Sequence, residues 1–569
     1  MENFFLDNKD MLFKYENLDL KEIVGLYEED YEQSEKHDYA PENYQEAMLN
    51  YKKALEIMGK ICGEDIAPMA EDIDEEGQIL ENGDVQYHPN TQKALNLIRD
   101  AGFTGVTLPR EYNGLNFPTI IYIMLIELVA RAEAGLMNIF SLQDIGETIF
   151  DFADEEIKEK YVKMFANGDV TGAMILTEPG AGSDLQRVRT KAVYNEDEDT
   201  WKLYGTKRFI TNGNADVSLV LARSEEGTTD ARGLSMFLIE KDETVQIRRI
   251  EDKLGLHGSP TCEMQFNGTE ALLIGRRRMG LIKYVMELMN GARLGIAGQS
   301  LGIAEAAYRA AFDYAKEREQ FGKAIENFPA VYDMLTDMRI NIEAARALTY
   351  YTSQMVDYKK AYQRKYEKTN ERKYRKKMKE YKAIADTLTP MSKAYSSEMC
   401  NQVAYKGLQV HGGDGYMKDY DIQRHYRDAR ITNIYEGTTQ LQIVAAIRGV
   451  VTKKLEPVFD ELEEDLTKNC SHQLNEVKDM RAKLNKAIKK YKNMSEEEKK
   501  YYAKFLVDIA IKIMNSYLLL KDGMRTKRKM VIAKSYIRQA KPEIDKYIEI
   551  IDSLSDLIVD NKKLIYDIE

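Results

Sequence analysis

The feature that most constrains the fold is a change of texture at Thr171. Before it, apolar residues recur at helical spacing, as in Met48, Tyr51, Leu55 and Met58. The run 120–129 is apolar nearly all round and reads as a buried helix. Residues 155–165 open on acids and stop before Asn167-Gly168, sound start and stop signals for another. After Thr171 the pattern breaks into short runs rich in Val, Ile, Tyr and Phe, at 173–176, 188–194, 201–204, 218–222, 234–239, 245–250 and 263–266. Gly, Asn and Asp part them, which predicts a small antiparallel barrel or sandwich. Helix resumes near Gly280, with long segments through 289–315, from 329 to 351, and from 383 onward.

The chain therefore divides into a lead-in over 1–40 with one helix near 20–31, a helical domain over 41–170 and a β-barrel over 171–275. A helical bundle follows over 276–450, and an additional helical domain over 451–569. In the last, Leu474, Val477, Met480, Leu484, Ile488 and Tyr491 form one apolar stripe, and Ser495 with Glu498 forms a capping box. The expected class is α+β, mostly α, with a central antiparallel barrel and a four-helix bundle. A net charge of -13 argues against nucleic acid or an anionic membrane as the main partner. Cys62, Cys262, Cys400 and Cys470 lie far apart and read as buried thiols in a reducing compartment, without a disulfide framework or metal site. The start of the chain is acidic and no apolar run approaches the roughly 20 residues of a membrane span, so a cytoplasmic protein is expected.

Four stretches carry chemistry. The first, Leu176-Thr177-Glu178-Pro179-Gly180-Ala181-Gly182-Ser183-Asp184, gathers backbone N–H groups and hydroxyls in one turn that suits a phosphate or a polar ring edge. The second is a strand, Gly205 to Gly213, whose alternation puts Phe209 and Thr211 on one face, an aromatic and a hydroxyl suited to a flat heterocycle. The third, Lys316 to Lys323, holds Arg318, able to clamp a phosphate. The fourth runs from Tyr405 to Gln442 and ends in Ile434-Tyr435-Glu436-Gly437-Thr438, a carboxylate before a Gly-Thr break with apolar residues on both sides. That arrangement fits a base at a helix edge facing a dry pocket. Each stretch alone also reads as an ordinary loop, core strand, helix end or helix corner.

Taken in order, T-E-P-G-A-G-S-D, G-T-K-R-F-I-T-N-G, A-R-L-G with K-E-R-E-Q-F-G-K, and I-Y-E-G-T resemble the acyl-CoA dehydrogenase family over roughly 45–450. The C-terminal addition resembles the long branch that includes the 3-methylmercaptopropionyl-CoA dehydrogenase-like enzymes. The resemblance implies FAD, an acyl-CoA substrate, oxidation of its Cα–Cβ bond as in fatty-acid β-oxidation, and electron transfer to an electron-transfer flavoprotein. Glu436 matches the base that takes the α-proton while the β-hydride passes to flavin N5. One branch carries its base at the position of Ala292, which alanine cannot replace. Arg293, Tyr435, Gly437 and Ser183 match substrate-positioning residues. Leu176, Thr177, Gly182, Ser183, Phe209, Thr211, Thr438 and Gln440 match flavin contacts, with Phe209 standing where most relatives have tryptophan. Arg318, Gln320, Phe321, Gln409 and Gly413 match positions that reach the FAD of a neighbouring subunit. A homo-oligomer is thus expected, a dimer in preference to a tetramer if the C-terminal domain covers the face that shorter relatives use. Acyl length should follow from the depth of the pocket between the 120–131 helix and the helix through Arg293. The Lys/Arg- and Tyr-rich run 359–382 reads as a lengthened, solvated helix, and His411 and His425 as structural.

Overall fold

The computed structural model describes residues 2–467, 471–553 and 564–565. Cys470 lies outside the described residues. The N-terminal layer comprises α1 (Lys9–Glu16), α2 (Lys21–Tyr27), α3 (Tyr44–Lys60), α4 (Ala70–Glu76), β1 (Ile79–Glu81), β2 (Asp84–Gln86), α5 (Pro89–Asp100), α6 (Thr119–Ala132), α7 (Ala134–Ser141), α8 (Asp144–Phe152) and α9 (Glu155–Asn167). The first 40 residues hold two helices rather than one, and they are packed, not peripheral: Phe5, Met11, Leu20, Ile23 and Val24 are fully buried. The antiparallel β1–β2 hairpin is an addition to the expected helical pattern. It turns on Asn82-Gly83, both at positive φ, and only Val85 of the pair is buried, too small an apolar signal for periodicity to show.

The middle of the chain forms β3 (Gly172–Ile175), β4 (Lys191–Asn195), β5 (Thr200–Thr211), β6 (Val217–Arg223), β7 (Leu234–Glu240), β8 (Val245–Ile250) and β9 (Thr261–Ile274). Pairing runs β6–β7–β9–β5–β4 and returns to β6 through the single bridge Lys191–Arg223, which closes the ring. The barrel is not wholly antiparallel: β3 lies parallel to β6, with Gly172 beside Val217, and so does the closing bridge. Leu203, Val220, Phe237, Met264 and Phe266 fill its inside.

Beyond the barrel come α10 (Met286–Glu317), the short pair β10 (Glu319–Gln320) and β11 (Lys323–Ala324), α11 (Pro329–Thr369), α12 (Arg372–His411), α13 (Ile422–Ala429) and α14 (Thr439–Val451). Helix α6 packs along α10, and the approach is close enough that a Cβ on Gly302 would stand 2.5 Å from the Glu127 carbonyl oxygen. Ile120, Ile121, Ile126 and Val129 of α6 are completely buried, each contributing about 1.5–3 kcal/mol by leaving water. An Ile126→Ala change there would cost about 2–5 kcal/mol. The Lys/Arg-rich run is helical, as read, but it forms the two arms of the α11–α12 hairpin on either side of Asn370, and it is only partly solvated. Tyr358 stacks on Tyr381 at 4.4 Å, and Lys359 pairs with Glu287 at 2.6 Å.

Helices α15 (Glu456–Leu466), α16 (Ser471–Lys492), α17 (Glu496–Gly523) and α18 (Lys527–Ser553) complete the described chain. The stripe from Leu474 to Tyr491 is buried throughout, and Ser495 and Glu498 form the capping box. Leu506, Ile513 and Leu520 share one core with Leu348, Leu388 and Met391, so these helices cover the outer face of α11 and α12.

Candidate active site

Glu436 sits on the short link between α13 and α14, at φ 53, in the left-handed region that a glutamate adopts only under strain. Gly437 follows at φ 89, where a Cβ would stand 2.7 Å from Gln442 Nε2. Gly437 is therefore needed for both the turn and the close approach. Four bonds hold the link. Gln442 Nε2 donates to the carbonyl oxygens of Glu436 at 3.1 Å and Gly437 at 2.8 Å. Lys393 Nζ, on α12, donates to the Gly437 carbonyl at 2.8 Å, and Thr439 Oγ1 donates to Glu398 at 2.5 Å. Tyr435 anchors the other side, its hydroxyl bonded to Gln299 of α10 and to Asn138 of α7 at 3.3 Å. Thr438 is the N-cap of α14, its hydroxyl accepting from the Leu441 N–H at 3.4 Å, which leaves its O–H proton available to donate.

The electrostatics single out Glu436. Burial raises its carboxyl above the ordinary value of 4.5, while Lys393 and then Arg293 pull the other way. Neither cation forms a direct ion pair with it among the described residues. Arg293 bonds to Asn290 at 3.1 Å through one terminal nitrogen, and its buried Nε has no hydrogen-bond partner among the described residues. Lys393 is fully buried, and burial pushes its ammonium down to about 8. The result is an accessible but poorly solvated base between two cations whose own hydrogen bonds point elsewhere, suited to taking a proton from a weak carbon acid.

On the barrel, the Leu176–Asp184 turn is braced from beneath. Glu178 accepts from the N–H groups of Arg189 at 2.7 Å and Thr190 at 2.9 Å, and pairs with Lys207 at 3.0 Å. Lys207 in turn donates to the carbonyls of Leu176 at 2.9 Å and Leu221 at 2.7 Å. Leu176 is buried and Thr177 half-buried, while Gly182 and Ser183 are exposed. Nothing lies within 4 Å of where a Cβ would stand on Gly180 or Gly182, so the turn is an open cradle, consistent with a bound polar group. Phe209 is exposed at φ 61, in a bulge between Lys207 and Ile210. That bulge breaks the alternation from which Phe209 and Thr211 were expected on one face; Thr211 remains in register opposite Thr261.

Arg318, Gln320, Phe321, Gln409 and Gly413 gather at one end of the bundle, joined by Tyr314, which bonds to Asp414 at 2.7 Å and stacks on His411 at 4.4 Å. All five are exposed, Phe321 almost completely. Sixteen helical residues separate Gln409 from Lys393 on α12, about 24 Å along the axis, so this group does not share one pocket with Glu436. Gln440 is exposed at the start of α14. His411 bonds to the Gly407 carbonyl at 2.8 Å, and burial followed by Arg424 pushes His425 down to about 3, consistent with structural roles.

Sequence reasoning missed Lys393, the Glu178–Lys207 brace, and Gln442. A lysine among small and apolar residues in Thr389-Pro390-Met391-Ser392-Lys393-Ala394 was the available signal for the first.

The combination of helical layer, closed barrel, long-helix bundle and strained carboxylate is that of an oxidoreductase acting on acyl thioesters, as the comparisons with known proteins show. Models of the acyl-CoA dehydrogenase N-terminal, middle and C-terminal domains match residues 52–169, 173–269 and 282–450. The chain belongs to the acyl-CoA dehydrogenase family. It is 35% identical to 3-methylmercaptopropionyl-CoA dehydrogenase of Ruegeria pomeroyi over 71% of each chain. It is 34% identical to the caffeyl-CoA reductase-Etf complex subunit CarC of Acetobacterium woodii, over 64% of this chain and 90% of that one. In fold it matches an acyl-CoA dehydrogenase of Bacillus anthracis solved in complex with FAD, with a TM-score of 0.75 over 90% of this chain and 88% of that one, at 23% identity. No helix among the described residues is long and apolar enough to cross a membrane.

Proposed function

We propose that the protein dehydrogenates an acyl-CoA thioester to its trans-2-enoyl form, with Glu436 as the base. The observation that carries this reading is a carboxylate held in a strained turn, raised by burial and flanked by Lys393 and Arg293 without a direct ion pair among the described residues. FAD is the cofactor of the family, and the open Gly180–Gly182 cradle fits its binding, with Leu176, Thr177, Gly182, Ser183, Phe209 and Thr211 as its contacts on the barrel and Thr438 and Gln440 beside the base. Bound FAD supplies the two-electron acceptor for the hydride that leaves Cβ. Glu436 takes the Cα proton, the electron pair left at Cα closes the double bond as the hydride carries its own pair away from Cβ, and the backbone N–H of Glu436 faces the thioester carbonyl oxygen as charge develops there. Arg293, Tyr435, Gly437 and Ser183 place the substrate. The named relative in a reductase–Etf complex supports an electron-transfer flavoprotein as redox partner, and the same residues run in reverse would protonate Cα of an enoyl thioester.

The exposed set Arg318, Gln320, Phe321, Gln409 and Gly413 completes the FAD site of a second copy, which makes the enzyme a homo-oligomer. The C-terminal helices cover the outer bundle face and favour a dimer. Anaerobic addition of acyl-CoAs to the FAD-loaded enzyme tests the reading. Flavin bleaching by at least one acyl class in the wild type, absent in Glu436→Gln with FAD still bound, is expected; equal bleaching in both would exclude Glu436 as the base.

A further inference from the structure

A cavity of about 880 Å³ lies between residues 26–37, α8, the start of α10 and the α11–α12 hairpin. Glu436, Lys393 and the Leu176–Asp184 turn are not on its wall, so it is not the proposed reaction centre. Part of the wall also lies outside the family match, which begins at residue 52. Another part is the Lys/Arg-rich run of α11, a stretch that the proposed reaction leaves unused.

On α11, Lys360, Arg364 and Lys368 follow one another at four-residue spacing and so share one face, and all three line the cavity. The outer two are each matched by an acid from another wall: Lys360 by Glu147 of α8 at 2.5 Å, and Lys368 by Glu29 at 2.5 Å. Arg364, between them, has no ion pair among the described residues. One terminal nitrogen donates to the amide oxygen of Asn116 at 3.0 Å, and Asn116 is itself fixed by donating to the Tyr27 carbonyl at 3.1 Å. The rings of Tyr27 and Phe150 stand beside the guanidinium, their centroids 4.9 and 5.8 Å from its central carbon. Its Nε and second terminal nitrogen have no hydrogen bond among the described residues and, unlike the Nε of Arg110, are not closed off by surrounding atoms. Arg364 is thus a half-buried cation, held in position, with an open donor edge on a cavity wall.

The partner missing from this row is an acid. We infer that the cavity is a second binding site, for a free monocarboxylic acid with an apolar body, whose carboxylate takes the open edge of Arg364 in a two-bond fork. The rings of Tyr27 and Phe150 give that edge apolar surroundings, and Leu26, Ile123, Leu294 and Val356 belong to the same lining. Two carboxyls act on Arg364 without pairing with it: Glu28, both of whose oxygens go to Arg110, and Asp151 of α8. A dianion such as phosphate would add a second negative charge beside them, and an amine would meet the guanidinium with like charge.

Calorimetric titration of the FAD-loaded full chain with octanoate, octanamide, octylamine and inorganic phosphate tests the site. Octanoate should bind, with octanamide and octylamine weaker by about tenfold or more. Arg364→Gln should weaken octanoate by about tenfold to a hundredfold, the reach of hydrogen bonds to a charged group. Arg364→Lys keeps the charge without the fork and should fall between the two. Asn116→Asp supplies the absent acid from within the chain and should also weaken octanoate, by about tenfold or more. Denaturant unfolding of each variant checks that it folds. Equal binding of acid and amide, octanoate affinity unchanged in folded Arg364→Gln or Asn116→Asp, preference for phosphate, or no binding by any probe would overturn the site. Asn290, which bonds to Arg293, also lines the cavity, so the titration is repeated with excess octanoyl-CoA. Octanoate binding that persists supports a second site; displacement would place the acid in the reaction pocket and overturn it.

Discussion

Two buried clusters of opposite charge lie within the same helical bundle and have opposite characters. At Arg346, which is fully buried, the guanidinium meets Glu127 at 2.7 Å, Glu343 at 2.6 Å and Glu305 at 2.9 Å, and Tyr350 closes the remaining Glu127 oxygen at 2.6 Å. At Glu436 the proportions are inverted, one acid and two cations, without a single direct ion pair among the described residues, and the Arg293 Nε is left unpartnered. The first cluster is a fully satisfied network that ties α6, α10 and α11 together. The second is held in place by bonds to backbone and to neutral side chains, and its charges stay free to respond to a substrate. Saturated charge holds the fold, and unsaturated charge marks the chemistry.

The comparison is sharpest where one change should stop chemistry and spare the fold. Glu436→Gln should lower the rate of flavin reduction by about 10²–10⁴-fold, the usual reach of a general base, with unfolding in denaturant little changed. A large loss of stability would erase the distinction between the clusters. Arg346→Met makes the converse case. It leaves three buried carboxylates short of a partner and should destabilise the protein by about 3–5 kcal/mol in chemical denaturation. Burial alone would raise Glu305, but Arg339, Arg346 and Arg309 overcome it and hold the carboxyl well below the usual range. Its folded value is depressed, so its contribution is present above the unfolded value near 4.5 and is lost as pH falls below it. Acid unfolding of the wild type should show that loss.

Lys393→Met separates tuning from support. The base must be ionised to act, so flavin reduction should fall as pH drops through the raised Glu436 value. Removing the cation should raise that value further and move the acidic limb of the pH–rate profile up by about one unit or more. An unmoved limb would assign Lys393 to holding the Gly437 carbonyl alone. The smallest effect belongs to Tyr435→Phe, which removes the hydroxyl bonded to Gln299 and Asn138. It should cost about 1–3 kcal/mol of stability, because Gln299 and Asn138 lose a buried partner, while leaving the pH profile of flavin reduction in place. Thermal or chemical unfolding beside the rate profile checks both halves.

Much of this site was legible in the chain. Glu436 stood out because a carboxylate before Gly-Thr, between apolar runs, is an unusual place for charge, and the turn at Leu176–Asp184 because Gly, Ala and Ser after Pro leave backbone N–H groups open. The seven strand runs in 171–275 were readable because each alternates or crowds β-branched and aromatic residues between turn formers. Three things were not readable. The β1–β2 hairpin buries one side chain, so it carries almost no periodic signal. Phe209 lies in a bulge, whose extra residue is set by pairing with β9, and no local pattern announces it. Lys393 lies 43 residues before Glu436, and only the packing of α12 against the 433–439 link brings them together.

The sequence by itself determined the order of helical, β and helical regions, the family, and the acid at position 436, because these depend on local spacing and on side-chain chemistry that sits in consecutive residues. Tertiary structure alone decided which charges are satisfied. Arg346 and Arg293 are both buried arginines near glutamates, but one is enclosed by carboxylates from three helices and the other is not. That difference depends on distances across the bundle, where a shift of an ångström or two separates a hydrogen-bonded pair from a free charge.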